Sequence, residues 1–308
     1  MRIVFMGTPD FAACTLQAIY EAGHEVVLAV TQPDRPKGRG GKVSMSEVKQ
    51  YAAEKDIAVY QPERIRDAAA VEELRRYAPE LIVVAAFGQI LPKEILEMPE
   101  YGCINVHASL LPRLRGASPI QTAILEGDSE TGVTIQQMGE GLDTGDIISQ
   151  RSIEIESDDT GGSLFDKLAK LGAELTVDTI AAIAEGRAQA VPQDEERATY
   201  AAKIDKKMGH IDYSRPAAEI CRMIRALNPW PSAYTYIDGK LMKVWKARAG
   251  EDVKDEAGCV SEVTKDYVRV ACSEGSLVLE EVQIEGKKRM TVHDLLLGYR
   301  IEKGTILT

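Results

Sequence analysis

The sequence has few cysteines, and they lack the spacing of a cysteine-based framework. Five cysteines, at positions 14, 103, 221, 259 and 272, are scattered over 308 residues and never occur as C-x-x-C. An odd, dispersed set of this kind disfavours both a disulfide scaffold and a zinc site built on cysteine. The pattern indicates buried thiols in a reducing compartment.

Long apolar runs and an amino-terminal targeting signal are also lacking. No run reaches the roughly 20 apolar residues that cross a bilayer. A signal peptide has a basic segment followed by an apolar one. The opening MRIVFMGTPDF instead predicts a strand that starts almost at once. We therefore expect a cytoplasmic protein, long enough for two domains with separate cores.

An overall positive charge is missing as well. The formal net charge is −11, which argues against a protein that coats nucleic acid without regard to sequence. The excess of acid lies in the first two thirds of the chain, because residues 208–308 are neutral overall. Any contact with nucleic acid must therefore come from local basic patches.

The glycine fingerprint of dinucleotide-binding proteins is absent where it would be needed. The opening predicts a strand over Arg2–Met6, a helix over Pro9–Ala22 with Thr8 as its N-cap, and a strand over Glu25–Thr31. This order predicts a parallel α/β sheet. The first turn contains only Gly7 instead of G-x-G-x-x-G, which disfavours a nicotinamide-dependent dehydrogenase. No G-x-S-x-G elbow or cysteine–histidine motif indicates a covalent nucleophile.

A short strand carries polar residues where apolar ones are expected. The stretch Cys103–His107 (CINVH) alternates so that Asn105 and His107 leave the same face, about 6.7 Å apart. The fully apolar stretch Leu81–Ala86 predicts a strand covered on both faces. An amide and an imidazole side by side break that rule, and such breaks tend to occur at functional sites.

A glycine-rich loop supplies a carboxylate to the same candidate site. The loop Gly139–Asp146 (GEGLDTGD) follows a predicted strand over Thr131–Met138 and contains Asp143. An amide, an imidazole and a carboxylate can together bind an oxyanion, move a proton and orient the imidazole. Taken singly, each could equally be a turn residue, a core histidine or a loop cap.

These two stretches resemble the folate-dependent formyltransferases. The resemblance is carried by Asn105–Pro112 (NVHASLLP), by Arg115-Gly116 and Pro119-Ile120, and by Gly141–Asp146 (GLDTGD), and it extends over nearly the whole chain. It implies that Asn105, His107 and Asp143 are catalytic and that 10-formyltetrahydrofolate is the co-substrate. The spacing of the cysteines and histidines predicts no metal site. The resemblance also implies a folate pocket formed by Phe87, Gly88, Ile90, Leu91, Ser109, Leu110, Leu111 and Pro112.

A basic loop follows the second strand. Between positions 35 and 49 five basic residues face one acidic residue, in a segment rich in glycine and proline. On composition alone it is as consistent with a solvated surface loop as with a phosphate-contacting one. The family members that act on tRNA carry a basic insertion here, with an arginine matching Arg39. We therefore predict tRNA contacts from Arg35, Lys37, Arg39 and Lys42.

The patterns divide the chain into two domains. We expect an α/β fold in which residues 1–189 form a Rossmann-like, mostly parallel sheet, the formyltransferase catalytic domain. Residues 190–207 lose apolar periodicity and predict a linker. Residues 208–308 contain several short strands and a hairpin turn at Asp238-Gly239. They predict a small OB-like β-barrel that binds tRNA.

The resemblance implies transfer of a formyl group to the α-amino group of methionine on initiator tRNA. Nothing in the sequence indicates an interface helix, so we expect a monomer. Three alternatives remain open on the sequence. The first is a related enzyme that formylates an amino sugar or another small amine. The second is a tRNA-binding module without catalysis, and the third is the disfavoured dehydrogenase.

Overall fold

The structure, a computed structural model, describes residues 1–37 and 42–308 and forms two compact units. The first unit comprises Met1–Pro119, Glu130–Glu154 and Phe165–Ala201. The second comprises Ile120–Ser129, Ile155–Leu164 and Ala202–Thr308. Within the described residues, no helix has both the length and the apolarity needed to cross a membrane.

The elements up to residue 201 alternate strands and helices, as the sequence predicts. In chain order they are β1 (Arg2–Gly7), α1 (Asp10–Glu21), β2 (Glu25–Val30), β3 (Arg35–Lys37), β4 (Lys42–Ser44), α2 (Glu47–Glu54), β5 (Val59–Tyr60), α3 (Ala68–Arg76), β6 (Leu81–Ala85), α4 (Lys93–Leu96), β7 (Cys103–His107), β8 (Arg115–Gly116), α5 (Pro119–Glu126), β9 (Glu130–Gln137), β10 (Ile147–Glu154), α6 (Gly161–Ala184) and β11 (Tyr200–Ala201).

Seven of these strands form one mixed sheet in the order β10-β9-β7-β6-β1-β2-β5. Strands β7, β6, β1, β2 and β5 are parallel, whereas β9 and β10 are antiparallel to their neighbours. Strand β6, in the centre of the sheet, is apolar on both faces, and all five of its residues are buried. The predicted mostly parallel, Rossmann-like sheet is thus confirmed.

The start of α1 differs from the prediction. Pro9 occupies the N-cap position with extended backbone dihedrals and the helix begins at Asp10, so the expectation of Thr8 as N-cap is wrong. The Thr8 hydroxyl instead accepts a hydrogen bond from the backbone N–H of Gln32 at 3.2 Å. It therefore links the ends of β1 and β2, because a tertiary partner competes with the local cap.

Strand register places the candidate catalytic residues beside the aromatic-glycine turn. Val84 of β6 lies opposite Asn105 of β7 in the parallel ladder. The turn Phe87-Gly88 and the side chain of His107 therefore both lie at the carboxyl edge of the sheet. In open α/β sheets this edge is where ligands bind.

The second unit is built on an antiparallel sheet. Its elements are α7 (Ala217–Ala226), β12 (Ala233–Ile237), β13 (Lys240–Gly250), β14 (Val260–Val263), β15 (Val268–Ala271), β16 (Ser276–Ile284), β17 (Met290–Thr291) and α8 (Val292–Leu296). The order is β12-β13-β16-β15-β14, with β17 on β16. This sheet is compatible with an OB-like barrel, but the pairings among the described residues form an open path and the barrel stays a prediction.

Candidate active site

Asn105, His107 and Asp143 lie together at the carboxyl edge of the large sheet. Asn105 Nδ2 is 3.5 Å from Asp143 Oδ1, and His107 Nδ1 is 3.6 Å from Asp143 Oδ2. The alternation of β7 sends the first two side chains to one face, and the loop after β9 brings the acid to them. An amide donor and an imidazole therefore lie close to the same carboxylate.

Asp143 is held by several donors at once. Gln136 Nε2 donates to its Oδ1 at 2.9 Å, and the backbone N–H of Gly116 donates to its Oδ2 at 2.9 Å. Its backbone has a φ of +51°, in the left-handed region that Asp and Asn tolerate better than most residues. These contacts fix the direction of the carboxylate toward the imidazole.

The surroundings of His107 determine which of its two ring nitrogens faces Asp143. The side chain is 6% exposed, and Nε2 lies 2.9 Å from the carbonyl oxygen of Leu114. Because a carbonyl oxygen only accepts, Nε2 carries a proton and donates it. Nδ1 therefore faces the Asp143 carboxylate.

A buried arginine anchors the loop that carries Asp143. The side chain of Arg115 is fully buried and donates to Gln193 Oε1 and to both carboxylate oxygens of Glu195. Gln193 Nε2 in turn donates to the carbonyl oxygens of Asp143 and Gly145, at 2.8 and 2.7 Å. The Arg115 guanidinium holds the pKa of the Glu195 carboxyl below its ordinary value.

Sequence reasoning missed Gln136 and Gln193. Gln136 lies in β9, whose central residues are buried, so it breaks the apolar rule in the same way as Asn105. That signal could have identified it. Gln193 lies in an irregular acidic segment, and no local pattern distinguishes it there because its role depends on a loop 50 residues earlier.

The predicted folate-binding positions lie at the ends of the adjacent strands β6 and β7. The side chains of Phe87, Leu91, Ser109 and Leu111 are buried, whereas Ile90 is 81% exposed. The remaining three positions are Gly88, Leu110 and Pro112.

Hydrogen bonds hold in place the second of the two predicted folate-binding segments, residues 109–112. Ser109 Oγ donates to the carbonyl oxygen of Arg113 at 2.6 Å. The backbone N–H of Leu111 donates to Thr134 Oγ1 at 3.0 Å, and the carbonyl oxygen of Leu111 accepts from Gln150 Nε2 at 2.8 Å. These hydrogen bonds tie the 109–112 segment to β9 and β10.

A cavity of about 550 Å³ with a mixed polar and apolar lining opens at the same edge, over the ends of β1, β2 and β6. Its base is ordered by Asp34, which accepts hydrogen bonds from Lys49 Nζ and Gln61 Nε2. The hydrogen bond from Lys49 is the main cause that lowers the pKa of the Asp34 carboxyl. The lining includes Thr8, Gln32, Asp34, Arg35, Ser44, Ser46, Phe87 and Gly88.

Of the predicted tRNA-contacting residues, Arg35 lines this cavity. Arg35 is exposed, and β3 pairs with β4 so that Arg35 lies opposite Ser44 and Lys37 opposite Lys42. Arg39 lies outside the described residues. In the described part of the chain, no group of three or more His, Cys, Asp or Glu side chains could hold a metal ion.

Two family models match the chain. The model described as formyl transferase matches residues 1–180, and that described as formyl transferase, C-terminal domain, matches residues 203–300. The methionyl-tRNA formyltransferase of Agathobacter rectalis is 52% identical, and that of Caldanaerobacter subterraneus subsp. tengcongensis is 50% identical; both alignments cover all of this chain and of the relative.

Solved structures share the fold at low sequence identity. An N-formyltransferase from Helicobacter canadensis, in complex with folinic acid and dTDP-3-aminofucose, has a TM-score of 0.68 at 20% identity, covering 91% of this chain and 98% of its own. HypX from Aquifex aeolicus, in complex with tetrahydrofolic acid, has a TM-score of 0.63 at 17% identity, covering 100% of this chain and 50% of its own. The chain belongs to the formyl transferase family, among the methionyl-tRNA formyltransferases.

Proposed function

We propose that the chain transfers a formyl group from 10-formyltetrahydrofolate to the α-amino group of methionine on initiator tRNA, with Asn105, His107 and Asp143 as catalytic residues. The observation that carries this assignment is that Asn105 Nδ2 and His107 Nδ1 lie 3.5 and 3.6 Å from the two carboxylate oxygens of Asp143. The three residues lie in a chain about half identical, over its full length, to methionyl-tRNA formyltransferases.

Asn105 stabilises the charge that develops during the transfer. As the neutral amine attacks the formyl carbon, a C–N bond forms and negative charge moves onto the formyl oxygen. Asn105 Nδ2 donates a hydrogen bond to that oxygen. A single oxyanion donor of this kind is worth about 10²- to 10³-fold in rate.

His107 and Asp143 move the protons that balance the reaction. Asp143 takes the proton that the attacking amine loses, directly or through one water. His107, as imidazolium, supplies a proton to the departing folate nitrogen through Nδ1, because Nε2 is bound to Leu114. General acid–base catalysis of this kind contributes typically about 10²- to 10⁴-fold.

The loops beside the three residues would hold the folate. Residues 87–91 and 109–112 combine apolar side chains with backbone polar groups, and Ile90 presents an exposed apolar surface that a ring system would cover. A pocket lined mainly by apolar groups, with a few fixed polar ones, is the usual design for such a ligand. The rigid 109–112 segment supports a pre-formed pocket.

The cavity over β1, β2 and β6 is the proposed seat of the tRNA end that carries the methionine. Its volume of about 550 Å³ is large enough for an aminoacyl nucleoside, and it opens at the edge of the sheet where Asn105 and His107 lie. Arg35 lines this cavity, and Arg35, Lys37, Arg39 and Lys42 would contact phosphates.

A substrate comparison tests this function. Purified protein and 10-formyltetrahydrofolate are incubated with initiator methionyl-tRNA, with a nucleotide-linked amino sugar, or with free methionine, and formylated product is quantified. We expect rapid formylation of methionyl-tRNA alone. Preferential formylation of the amino sugar would identify the small-amine alternative, and no transfer to any acceptor would contradict catalysis altogether.

Variants then assign the residues. In Asn105→Ala and His107→Ala we expect kcat to fall by about 10²-fold or more, while tRNA binding stays near that of the unmodified protein. Single-turnover rates and a tRNA titration give the two quantities. Equal losses in rate and affinity would mean that the side chains are structural.

A further inference from the structure

Gln136 occupies a position that the catalytic scheme has so far left unused. It lies in β9 directly opposite Asn105 in the antiparallel ladder with β7, so the two side chains leave the same face of the sheet. Gln136 is 2% exposed. A polar side chain in the interior of a buried strand remains there only if its polar groups are satisfied or serve the site.

The nitrogen of the Gln136 amide contacts the catalytic carboxylate. Nε2 donates to Asp143 Oδ1 at 2.9 Å, and Asn105 Nδ2 approaches the same oxygen at 3.5 Å. An ionised carboxylate only accepts hydrogen bonds. The amide is therefore in the orientation that matches a negatively charged Asp143, and it supplies the shorter of the two amide contacts.

The oxygen of the same amide takes no part in this contact with Asp143. Among the described residues 1–37 and 42–308, Gln136 Oε1 is buried without a hydrogen-bond partner. An unsatisfied buried acceptor is destabilising. Such a group therefore calls for an explanation in the function of the site.

A protonated Asp143 would give the Gln136 amide oxygen a hydrogen-bond donor. A neutral carboxylic acid has an O–H that must donate to an acceptor. Rotation of the Gln136 amide by half a turn about its terminal bond exchanges Nε2 and Oε1 within nearly the same volume. Oε1 would then accept from that O–H, so one side chain can satisfy both protonation states of the acid.

We propose that Gln136 is a positioning residue whose amide donates to Asp143 while the acid is ionised and reverses to accept from it once the acid is protonated. This inference rests on the proposed function, in which Asp143 takes the proton of the attacking amine. Gln136 keeps the carboxyl group in place across the proton transfer. The Gly116 N–H cannot do so because it only donates, and in the proposed function the Asn105 amide is committed to the formyl oxygen.

The charged groups around Asp143 stay constant in the test. They are His107 on β7, Arg115 paired with Glu195, and Glu140 and Asp146 in the same loop as Asp143. A change confined to Gln136 therefore alters one hydrogen bond and leaves the fixed charges of the site in place.

The first variant is Gln136→Met, which keeps the length of the side chain and removes both polar atoms. We expect kcat to fall on the order of 10- to 100-fold, the effect of losing a hydrogen bond to a charged group, with the KM values of both substrates nearly unchanged. The acidic limb of the kcat–pH profile should move to higher pH, because the ionised acid loses a donor. The matched control is Gln137→Met, whose amide lies on the opposite face over Gly102; it should resemble the unmodified protein.

A double-mutant cycle separates positioning from a general effect on folding. If Gln136 acts through Asp143, Gln136→Met should cost little further activity in an Asp143→Asn background. If the two fold-changes multiply, the inference is wrong. A Gln136→Met variant with normal kcat and an unchanged pH profile would also overturn it.

Nuclear magnetic resonance gives a readout that does not depend on turnover. The side-chain amide signal of Gln136, assigned by its loss in Gln136→Met, should shift as the pH falls through the acidic limb and should stay constant in Asp143→Asn. A signal that does not respond to pH in the unmodified protein would overturn the inference. Failure of the unmodified protein to formylate methionyl-tRNA would instead contradict the proposed function.

Discussion

Asp143 combines a catalytic charge with a backbone conformation that few residues accept. Its φ of +51° lies in the left-handed region, where most side chains cost roughly 1–2 kcal/mol. Asn accepts that conformation almost as well as Asp. Substitution of Asp143 by Asn removes the charge and keeps a residue that tolerates this backbone conformation, whereas substitution by Ala removes both.

Asp143→Asn should lose activity without losing the fold. We expect kcat to fall by about 10²- to 10⁴-fold, because the group that takes the proton and stabilises imidazolium is gone, while Tm changes little. Asp143→Ala should lose a similar factor in kcat and also melt at a lower temperature. Single-turnover rates and thermal melts measure both, and an Asn variant with normal kcat would contradict the assigned role.

The burial of the cysteines predicts the order in which their thiols react. Cys103 is fully buried and Cys272 nearly so, and burial raises the pKa of each thiol to about 12. Cys14 is exposed, although partial burial and Asp10 also raise its pKa. Since the thiolate is the reactive form, iodoacetamide should label Cys14 well before Cys103 or Cys272 in the native protein.

Peptide mass spectrometry after timed labelling checks this order. The control is the same reaction in concentrated urea, where all three thiols should be modified at similar rates. Rapid labelling of Cys103 in the native protein would mean that β7 is accessible and that the site is not the rigid edge described above.

Single residues were predictable where a local rule was visibly broken. Asn105 and His107 interrupt a strand that should be apolar, and Asp143 stands in a glycine-rich loop within a motif shared with the family. Gln136 breaks the same rule but has no family motif to single it out. Gln193 breaks none, because its contacts to Asp143 and Gly145 arise only from tertiary structure.

At the scale of elements, the segment around β8 and β11 holds the catalytic loop in place. β8 pairs in parallel with β11, and Arg115 at the start of β8 binds Gln193 and Glu195. Arg115 is fully buried, whereas the Glu195 side chain is 68% exposed. The guanidinium depends on these partners, since an unpaired buried charge is strongly destabilising.

Glu195→Gln tests this anchor through its pH dependence. Because Arg115 lowers the pKa of Glu195 from an ordinary value of 4.5, the carboxylate contributes stability above that value and loses it as the pH falls through the folded-state pKa. We therefore expect Glu195→Gln to melt below the unmodified protein at pH 7. The difference should shrink as the pH falls below 4.5.

The neighbouring exposed residue provides the control. Glu196→Gln removes the same charge one position along and should change Tm little at any pH. A Glu195→Gln variant with the Tm of the unmodified protein at pH 7 would show that Arg115 does not need this partner.

Most elements followed from apolar periodicity, and the exceptions have tertiary causes. The strand predicted over Leu81–Ala86 is found at Leu81–Ala85, because burial on both faces leaves a continuous apolar run. The cap of α1 was not, because Thr8 is drawn to Gln32. β8 and β11 are two residues each, too short for any periodicity.

At the scale of the whole molecule, the sequence indicates a two-part chain but not the path of the chain through the parts. The second unit includes Ile120–Ser129 and Ile155–Leu164 from the first half of the sequence. There, Arg225 Nη1 donates to the carbonyl oxygen of Asp159, and Arg222 Nε to that of Leu125. Contacts of this range leave no periodic signal in either segment.

The net charge of −11 bears on how tRNA binding should depend on salt. A polyanion such as tRNA is repelled by the molecule as a whole, so its binding must rest on a few local phosphate contacts, and each contact adds to the salt dependence of affinity. We expect Arg39→Ala to weaken tRNA binding and to lower the slope of log K against log salt by about one contact. Its kcat at saturating tRNA should stay close to normal.

Arg35→Ala should act in the same way, because Arg35 is exposed beside the cavity. The matched control is Arg76→Ala, an exposed arginine at the end of α3 that precedes β6 and so lies away from the carboxyl edge. Filter binding at several salt concentrations measures all three variants. If Arg39→Ala and Arg76→Ala give the same slope as the unmodified protein, the basic segment does not contact phosphate and tRNA must be held by another surface.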